Sequence, residues 1–228
     1  MTAPQYDLNT LEAIVFDFDG VILESGDIKT QGFRELFAGV PEHQDAIVRH
    51  HHDNLGISRF EKFEWIYSNL LGASLSAEEA QQLGRRYSQL VYERALRCPL
   101  VPGARRLLDD LQGRLPMFVA SGTPQEELAR IVAERELSGY FVEVCGSPET
   151  KENTLRRLLG SYQLDPSKTI LVGDGLSDLR AAQLTGVGFV ARVHAEEPLF
   201  DWPEDTVQVA DLTGLLTVLG LRESPSST

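Results

Sequence analysis

The chain contains few cysteines and no long hydrophobic run. Two cysteines, Cys98 and Cys145, occur among 228 residues, far apart and without Cys-x-x-Cys spacing. This pattern excludes a disulfide framework and indicates a reducing compartment. No apolar stretch approaches the roughly 18 residues that a membrane-spanning helix needs. The first residues contain no basic segment followed by an apolar run, so we predict no signal peptide and a cytoplasmic location.

Positive charge is also scarce. The 21 lysines and arginines face 34 aspartates and glutamates, which gives a formal net charge of -13. A field of that sign repels nucleic acid and anionic membrane surfaces, so we expect neither as a partner. A site for a small anion would have to be locally positive, through a metal ion, a lysine or a helix N-terminus. The length suits one sizeable core, or a core with a smaller second unit.

Five short apolar runs have the length and the β-branched or aromatic content of buried strands. They are residues 13–16, 117–120, 141–145, 170–172 and 188–191. Helical patterns lie between them, and two carry an apolar face, formed by Ala104, Leu107, Leu108 and Leu111, and by Leu155, Leu158, Leu159 and Tyr162. Strands that alternate with helices predict a parallel α/β sheet.

Residues 24–98 break this alternation, because they show helical patterns and no convincing strand. Ser76 and Glu79 have the spacing of a capping box ahead of an amphipathic helix. We therefore predict that residues 1–23 and 99–228 form an α/β core and that residues 24–98 form an inserted helical unit. An insert that leaves and rejoins the same side of a sheet makes a natural lid.

Two carboxylates, Asp17 and Asp19, follow the first predicted strand and precede Gly20. Open α/β sheets bind ligands at the carboxyl ends of their strands, and residues two apart in an extended segment point the same way. Two carboxylates aimed at one point repel each other unless a cation or a shared proton lies between them. The pattern favours a metal site or an acid–base pair, with an ordinary Asp-Gly turn as the alternative.

A hydroxyl-rich loop follows the second predicted strand. It begins with Ser121 and Gly122, and we expect Thr123 at the N-cap of the next helix, with Pro124 first in the helix and Glu126 completing a capping box. Such a loop brings a hydroxyl and free backbone N–H groups to the mouth of the sheet, where phosphate could bind. The alternative is an ordinary helix start.

Asp174 and Asp178 follow the strand at 170–172 and lie four residues apart, so one face of a helix can carry both. Magnesium prefers oxygen ligands and takes one or two carboxylates besides water and phosphate, so Asp17 and Asp174 together would serve. The alternative is helix capping by Ser177 or Asp178.

Lys151 lies just before a predicted helix that begins near Glu152. Its ammonium group could neutralise a nucleophilic carboxylate and a phosphate together. A lone lysine is, however, more often a solvated surface charge.

The order of these elements is more specific than any one of them. Asp-x-Asp-Gly, then Ser-Gly-Thr, then a lysine, then Gly-Asp-x-x-x-Asp resembles the four motifs of the haloacid dehalogenase superfamily over nearly the whole chain. The helical insert and the returning residues 101–103 look like the phosphoglycolate phosphatase-like branch. The resemblance implies a Rossmannoid parallel sheet with an inserted all-helical cap.

The resemblance also implies roles for the carboxylates. Asp17 would attack phosphorus and form an aspartyl-phosphate that is then hydrolysed. Asp19 would be the general acid for the leaving group and then the base for the attacking water. Mg²⁺ would be held by the Asp17 carboxylate, the Asp19 backbone carbonyl and Asp174, while Asp178 supports that shell or pairs with Lys151.

The implied reaction is Mg²⁺-dependent hydrolysis of a small phosphorylated metabolite. Ser121 and the Gly122 N–H would hold the phosphoryl oxygens, in the same loop as Thr123, and Lys151 would balance charge. Enzymes similar to β-phosphoglucomutase keep both aspartates, so a phosphosugar mutase stays open. A non-catalytic binding protein on the same fold is a further alternative, although every residue that the chemistry needs is present. The helical insert and the pair of Asp17 and Asp19 argue against a phospho-accepting signalling domain.

Two basic residues of the insert, Arg59 and Lys62, are three apart and could contact a carboxylate or hydroxyls of the substrate. The pattern favours a different interpretation, in which both are solvated and paired with Glu61 and Glu64. We also expect the run at 50–52, which consists of three histidines, at the surface, because consecutive helical residues point in different directions.

Overall fold

A six-stranded parallel sheet lies at the centre of the protein, for which the computed structural model describes residues 6–193 and 201–221. In chain order, the strands are β1 (Ala13–Phe16), β2 (Met117–Pro124), β3 (Glu143–Ser147), β4 (Thr169–Gly173), β5 (Gly188–Arg192) and β6 (Val207–Val209). Their spatial order is β3-β2-β1-β4-β5-β6, and neighbours are parallel. The chain winds outwards in both directions from β1, and open α/β sheets bind ligands at such a switch point.

The sheet confirms the predicted α/β fold class. All five predicted strands are present, although β3 begins later than expected, at Glu143, and β2 continues to Pro124. Strand β6 was not predicted, because three residues are too few to stand out as a pattern. Its valines, Val207 and Val209, are buried, and it pairs with β5 along one edge of the sheet.

Successive residues of β1 point to opposite faces of the sheet and enter different hydrophobic clusters. Ile14 and Phe16 pack with α5 (Ala104–Leu111), α6 (Gln125–Glu134) and α9 (Leu212–Val218). Ala13 and Val15 pack with α7 (Lys151–Tyr162) and α8 (Leu176–Thr185). Both faces of β1 are therefore covered, as the continuous apolar run of a central parallel strand requires.

The predicted helix faces agree with this packing except at one position. All four predicted apolar positions of α5 are buried, as are Leu155 and Leu158 of α7. Tyr162 is 41% exposed, although its ring centroid lies 4.9 Å from that of Phe118. No helix within residues 6–193 and 201–221 is long and apolar enough to cross a membrane.

The chain between β1 and α5 is helical. Its α-helices are α1 (Gly26–Leu36), α2 (Gln44–Asp53), α3 (Arg59–Asn69) and α4 (Ala77–Arg97), and residues 24–98 contain no strand. These four helices share a hydrophobic cluster that is separate from the two clusters on the faces of the sheet. It includes Phe33, Ile47, Phe63, Ile66 and Tyr87.

The capping box ahead of α4 is confirmed. The Ser76 hydroxyl accepts a hydrogen bond from the Glu79 N–H at 3.3 Å, and the Glu79 carboxylate accepts one from the Ser76 N–H at 2.9 Å. Two N–H groups without helical partners are thereby satisfied at the start of the longest described helix. Residues 1–5, 194–200 and 222–228 of the predicted core lie outside the described residues.

Candidate active site

The carboxyl edge of the central strands gathers the predicted motif residues. Asp17 directly follows β1, Ser121 lies within β2, and Asp174 directly follows β4, while Lys151 is the first residue of α7. Because β1, β2 and β4 are adjacent and parallel, their carboxyl ends meet at one edge. Side chains that are more than a hundred residues apart in sequence are thus brought together.

Three carboxylates form a cluster at this edge. Asp17, Asp174 and Asp178 are buried, and each offers an oxygen that lies within 4.8 Å of the others. Lys151 Nζ donates to Asp17 Oδ2 at 2.7 Å and also to Asp178 Oδ1. Gly20 has φ of +80°, and a Cβ there would clash with the Asp174 carboxylate, so the turn after β1 needs glycine.

The ionisation of this cluster is strongly perturbed. Burial raises the pKa of Asp17 well above its ordinary value, and the neighbouring Asp178 and Asp174 charges add to this effect, while Lys151 opposes it. Burial likewise raises the pKa of Asp178. Burial by itself would lower the pKa of Lys151, but the charges of Asp17 and Asp178 outweigh it and raise that pKa. A divalent cation would offset the same repulsion, and an all-oxygen donor set fits Mg²⁺.

The Asp19 carboxylate lies outside this cluster. It accepts hydrogen bonds from Ser25 Oγ and Thr123 Oγ1, both at 2.6 Å, and lies 3.3 Å from Lys29 Nζ. Burial would raise the pKa of Asp19, but Lys29 and the two hydrogen bonds lower it below the ordinary value. Asp17 and Asp19 both line one cavity, but their carboxylates have different partners, Lys151 for Asp17 and Lys29, Ser25 and Thr123 for Asp19.

Thr123 does not cap the helix, contrary to our prediction. Strand β2 continues through Thr123, Pro124 takes the N-cap position, and α6 begins at Gln125 without a side-chain cap. The Thr123 hydroxyl instead donates to Asp19 and accepts from Lys29 Nζ at 3.2 Å. Its N–H donates to Ser121 Oγ at 3.1 Å.

The structure decides between the alternatives predicted for Asp178, a helix cap or a partner of Lys151, and for Lys151, a site residue or a solvated surface charge. Gly175 is the N-cap of α8, and the Asp178 carboxylate accepts a hydrogen bond from its N–H at 3.2 Å as well as from Lys151. Asp178 therefore both stabilises the helix start and pairs with the lysine. Lys151 is buried rather than solvated, and Thr150 caps its helix.

The linker between α2 and α3 covers the edge of the sheet. A Cβ at Gly122 would lie 2.6 Å from the carbonyl oxygens of Gly56 and Ile57. The Ser177 hydroxyl donates to the Leu55 carbonyl at 2.6 Å. The insert thus touches both the hydroxyl-rich segment of β2 and the start of α8, and glycine at position 122 allows this close approach.

Arg59 is buried and joins α3 to α6, so the favoured prediction of a solvated side chain is wrong. It is 4% exposed and donates to both oxygens of Glu127 at 2.7 and 3.0 Å, and to Ser88 Oγ at 2.8 Å. Its guanidinium carbon lies 4.6 Å from the Tyr87 ring centroid. Burial would raise the pKa of Glu127, but Arg59 lowers it. Sequence reasoning missed Glu127, since no local pattern links it to a residue 68 positions away.

Lys62 and His51 are also buried, each 3% exposed, which contradicts the predictions of a solvated lysine and of surface histidines. Lys62 Nζ lies 3.0 Å from His51 Nδ1 and 3.4 Å from its carbonyl oxygen. The His51 ring packs on Phe33 at 4.6 Å, and the neighbouring His50 stacks on Trp65 at 3.7 Å. Glu61 and Glu64 therefore do not pair with Lys62.

Replacement of Lys62 by methionine is expected to raise the free energy of unfolding near pH 7. Burial lowers the pKa of Lys62 to about 7, with Lys29 and Lys151 adding to the effect and Asp174 opposing it. An unfolded lysine titrates near about 10.4, so the unfolded state binds more protons between these values. The destabilisation by Lys62 is therefore complete below pH 7 and fades as the pH rises.

The measurement is urea unfolding of both proteins in chelator, from about pH 7 to about pH 9. The stability advantage of Lys62→Met should shrink by up to about 1.4 kcal/mol per pH unit. Lys168→Met, which alters a half-exposed lysine paired with Glu12, is the control and should show no such trend. An advantage that is constant with pH would contradict the assigned burial of the charge.

A small cavity of about 60 Å³ lies between the insert and the sheet edge. Its lining combines sheet residues with residues of the insert, among them Asp17, Asp19, Lys29, His51, Arg59, Lys62, Ser121, Gly122, Thr123 and Asp174. Lys151 and Asp178 join the same region through their contacts with Asp17 and with each other. The structure therefore gathers every predicted site residue in one place.

Comparison with known proteins agrees with this arrangement. The family described as haloacid dehalogenase-like hydrolase matches residues 11–186. Phosphoglycolate phosphatase from Vibrio parahaemolyticus is 27% identical over 187 residues, which cover 77% of this chain and 81% of that protein. Phosphoglycolate phosphatase from Photorhabdus laumondii is 25% identical over 226 residues, which cover 94% of each.

A solved structure shows the same fold. CbbY from Rhodobacter sphaeroides, in complex with phosphate, matches with a TM-score of 0.73 at 16% identity, covering 92% of this chain and 100% of that one. The family match spans most of the chain and includes Asp17, Ser121, Lys151 and Asp174. The four motifs, their meeting at one sheet edge and this match lead to one conclusion: the chain belongs to the haloacid dehalogenase-like hydrolases.

Proposed function

We propose that the protein is a Mg²⁺-dependent phosphatase that hydrolyses a small phosphate monoester through an aspartyl-phosphate on Asp17. One observation carries this proposal: Asp17, Asp174 and Asp178 form a buried carboxylate cluster bridged by Lys151 at the carboxyl edge of the sheet. The match to phosphoglycolate phosphatases supports the reaction class. Such a cluster has little structural benefit of its own, since buried charges lower stability unless they are compensated.

In the proposed first step, an Asp17 oxygen forms a bond to phosphorus while the bond from phosphorus to the leaving oxygen breaks. Mg²⁺, held by the Asp17 carboxylate, the Asp19 backbone carbonyl and Asp174, would offset the charge of the phosphoryl group. The direct contact with Lys151 favours the ionised form of Asp17 and opposes the effect of burial on its pKa. Phosphoryl oxygens would be bound by the Ser121 hydroxyl and the Gly122 N–H.

Asp19 would move the protons of both steps. Its three donors, Lys29, Ser25 and Thr123, stabilise the carboxylate form, which suits a base that removes a proton from the attacking water. An approaching phosphate adds negative charge beside Asp19 and so raises its pKa. Asp19 would thereby take up the proton that it gives to the leaving oxygen in the first step.

We further propose that residues 24–98 act as a cap over a core formed by residues 1–23 and 99–228. The separate hydrophobic cluster of the insert supports this division. Several polar contacts connect the proposed units, among them those between Arg59 and Glu127, between Lys29 and Asp19, and between the Ser177 hydroxyl and the Leu55 carbonyl. Both terminal nitrogens of Arg59 donate to Glu127, so we assign Arg59 to holding the cap rather than to binding substrate.

Phosphate release from an aryl phosphate tests the proposed reaction. We expect many turnovers with Mg²⁺, a loss of activity with EDTA, and recovery when excess Mg²⁺ is added back, because the carboxylate cluster requires a cation. Release that is equal with and without chelator would overturn the metal requirement. A single stoichiometric turnover would indicate a phospho-accepting domain, and transfer within a sugar phosphate without release would indicate a mutase.

A further inference from the structure

Arg192, the last residue of β5, is a buried cation at the carboxyl edge of the sheet that the proposed reaction does not use. Its guanidinium donates to the Gly20 carbonyl at 2.9 Å and to the Glu24 carboxylate at 2.7 Å. It also donates to the Ala210 carbonyl at 3.2 Å, in the segment that follows β6. One side chain therefore joins β5 to both ends of the loop that follows Asp19, which we call the 20–24 loop.

The 20–24 loop lies directly against the carboxylate cluster. A Cβ at Gly20 would overlap the Asp174 carboxylate, so the backbone has no room to move towards the cluster. At the other end of the loop, the Glu24 N–H donates to the Pro99 carbonyl at 3.0 Å, where the chain returns from the insert. Because Asp19 directly precedes Gly20, any shift of this loop would displace Asp19 as well.

The ion pair of Arg192 with Glu24 suits the fixing of geometry better than the adding of stability. A buried ion pair adds little net stability compared with apolar side chains of similar size, because both charges lose their hydration. A planar guanidinium, however, holds several acceptors in set directions. Two of the acceptors named above lie on the 20–24 loop, so the position of that loop is what the arginine fixes.

We propose that Arg192 is a positioning residue, which holds the 20–24 loop so that the Asp19 carboxyl group can give its proton to the leaving oxygen. This inference rests on the proposed function. Arg192 acts through the backbone at Gly20 and contacts no reacting atom. Proton transfer requires the two heavy atoms to lie within about 3 Å of each other, so a small displacement of the loop slows this step more than it slows a reaction that needs no proton donor.

The test compares phenyl phosphate with 4-nitrophenyl phosphate, two esters of similar shape whose leaving groups differ in their need for a proton. Phenol, like the tyrosine side chain, ionises near about pH 10, whereas 4-nitrophenol is more acidic and leaves more readily as the anion. The ratio of kcat/KM for the phenyl ester to kcat/KM for the 4-nitrophenyl ester therefore measures proton donation by Asp19, and we call it the leaving-group ratio.

We expect Arg192→Met to lower the leaving-group ratio roughly tenfold, because Asp19 is then no longer held at its place. Arg192→Lys should lower it as well, since an ammonium lacks the planar fork that spans Gly20 and Glu24. The control is Arg114→Met, which changes an exposed arginine that donates to the Asp110 carbonyl and should keep the wild-type ratio. Thermal unfolding checks that each variant folds, and Arg192→Lys replaces Arg192→Met throughout if the latter does not.

A double-mutant cycle with Asp19→Asn separates positioning from a general structural effect. The proton donor is absent in Asp19→Asn, so adding Arg192→Met to it should change the leaving-group ratio by less than about twofold. A loosened site would slow both esters alike and leave the ratio unchanged. An unchanged ratio in Arg192→Met, or an equal fall with and without Asp19, would overturn the proposal, while hydrolysis of 4-nitrophenyl phosphate by the wild type would still uphold the phosphatase.

Amide hydrogen exchange gives a second readout that does not depend on activity. The N–H groups of Gly20, Ile22 and Leu23 donate to carbonyls within residues 18–23. Arg192→Met should speed their exchange by at least roughly tenfold and leave that of β4 unchanged, whereas a general loss of stability would speed both. If neither ester is hydrolysed, the proposed function fails, and exchange then decides whether Arg192 holds the loop: wild-type exchange at these three N–H groups would overturn that assignment.

Discussion

Asp17→Asn is expected to lower phosphatase turnover by at least about three orders of magnitude while the fold is retained. The amide has the shape of the carboxylate but is a far weaker nucleophile, so no aspartyl-phosphate forms. Folding should persist because burial raises the pKa of Asp17, which means that its charge already opposes stability. Lys151 keeps Asp178 as a partner in the variant. The measurement is kcat with an aryl phosphate and Mg²⁺, together with thermal unfolding.

A matched control for this variant is Asp110→Asn, which makes the same change in a surface ion pair with Arg106. It should leave kcat at the wild-type value. Rapid quenching of the wild type during turnover should trap a phosphoryl group that hydroxylamine releases, and Asp17→Asn should trap none. Turnover by the variant within about tenfold of the wild type would refute Asp17 as the nucleophile.

Lys151→Met is expected to abolish most turnover and also to lower the free energy of unfolding by about 3–5 kcal/mol near neutral pH. The substitution leaves Asp17 and Asp178 buried without an ion pair to any other cation in the described part of the chain, and Asp174 lies close to both. The carboxyl groups can respond by taking up protons, since burial already raises the pKa of Asp17 and of Asp178. The folded state then binds more protons than the unfolded state, so the loss of stability should be smaller near pH 5 than near pH 8.

Urea unfolding in chelator at both pH values measures this effect. Lys168→Met removes an exposed lysine from its pair with Glu12 and should change stability by less than about 1 kcal/mol. A double-mutant cycle sharpens the result: Asp178→Asn combined with Lys151→Met removes one of the stranded charges and should recover part of the loss. A Lys151→Met protein as stable as the wild type at about pH 8 would contradict the ion-pair assignment.

The variants Asp17→Asn and Lys151→Met are expected to differ in stability, and the contacts of the two residues explain why. Asp17 is a charge whose removal relieves repulsion within the carboxylate cluster, whereas Lys151 is the cation that holds two members of that cluster together. Loss of activity is therefore expected in both variants, but loss of stability only in the second. A common loss of stability would place both residues in a structural network rather than in distinct steps of the reaction.

The sequence by itself determined the fold class. It also determined the order of the four motifs along the chain and most of the residues that meet at the sheet edge. This was possible because short apolar strands and turn residues are local signals, and parallel strands must present their carboxyl ends at one edge. Asp17 and Asp174 needed no knowledge of the rest of the chain beyond that rule, whereas Lys151 was assigned through the resemblance to the family motifs. The helical character of residues 24–98 was equally local, since the periodicity and the capping box lie within the segment.

Only the tertiary structure decided which polar residues of the insert are buried and what they contact. Arg59 and Lys62 follow a helical pattern that suits solvent, yet one pairs with Glu127 and the other with His51. Thr123 has the sequence of a helix cap but bonds to Asp19, a residue 104 positions away. Such contacts depend on how the insert folds back over the sheet, and local periodicity contains no information about partners that distant in the chain.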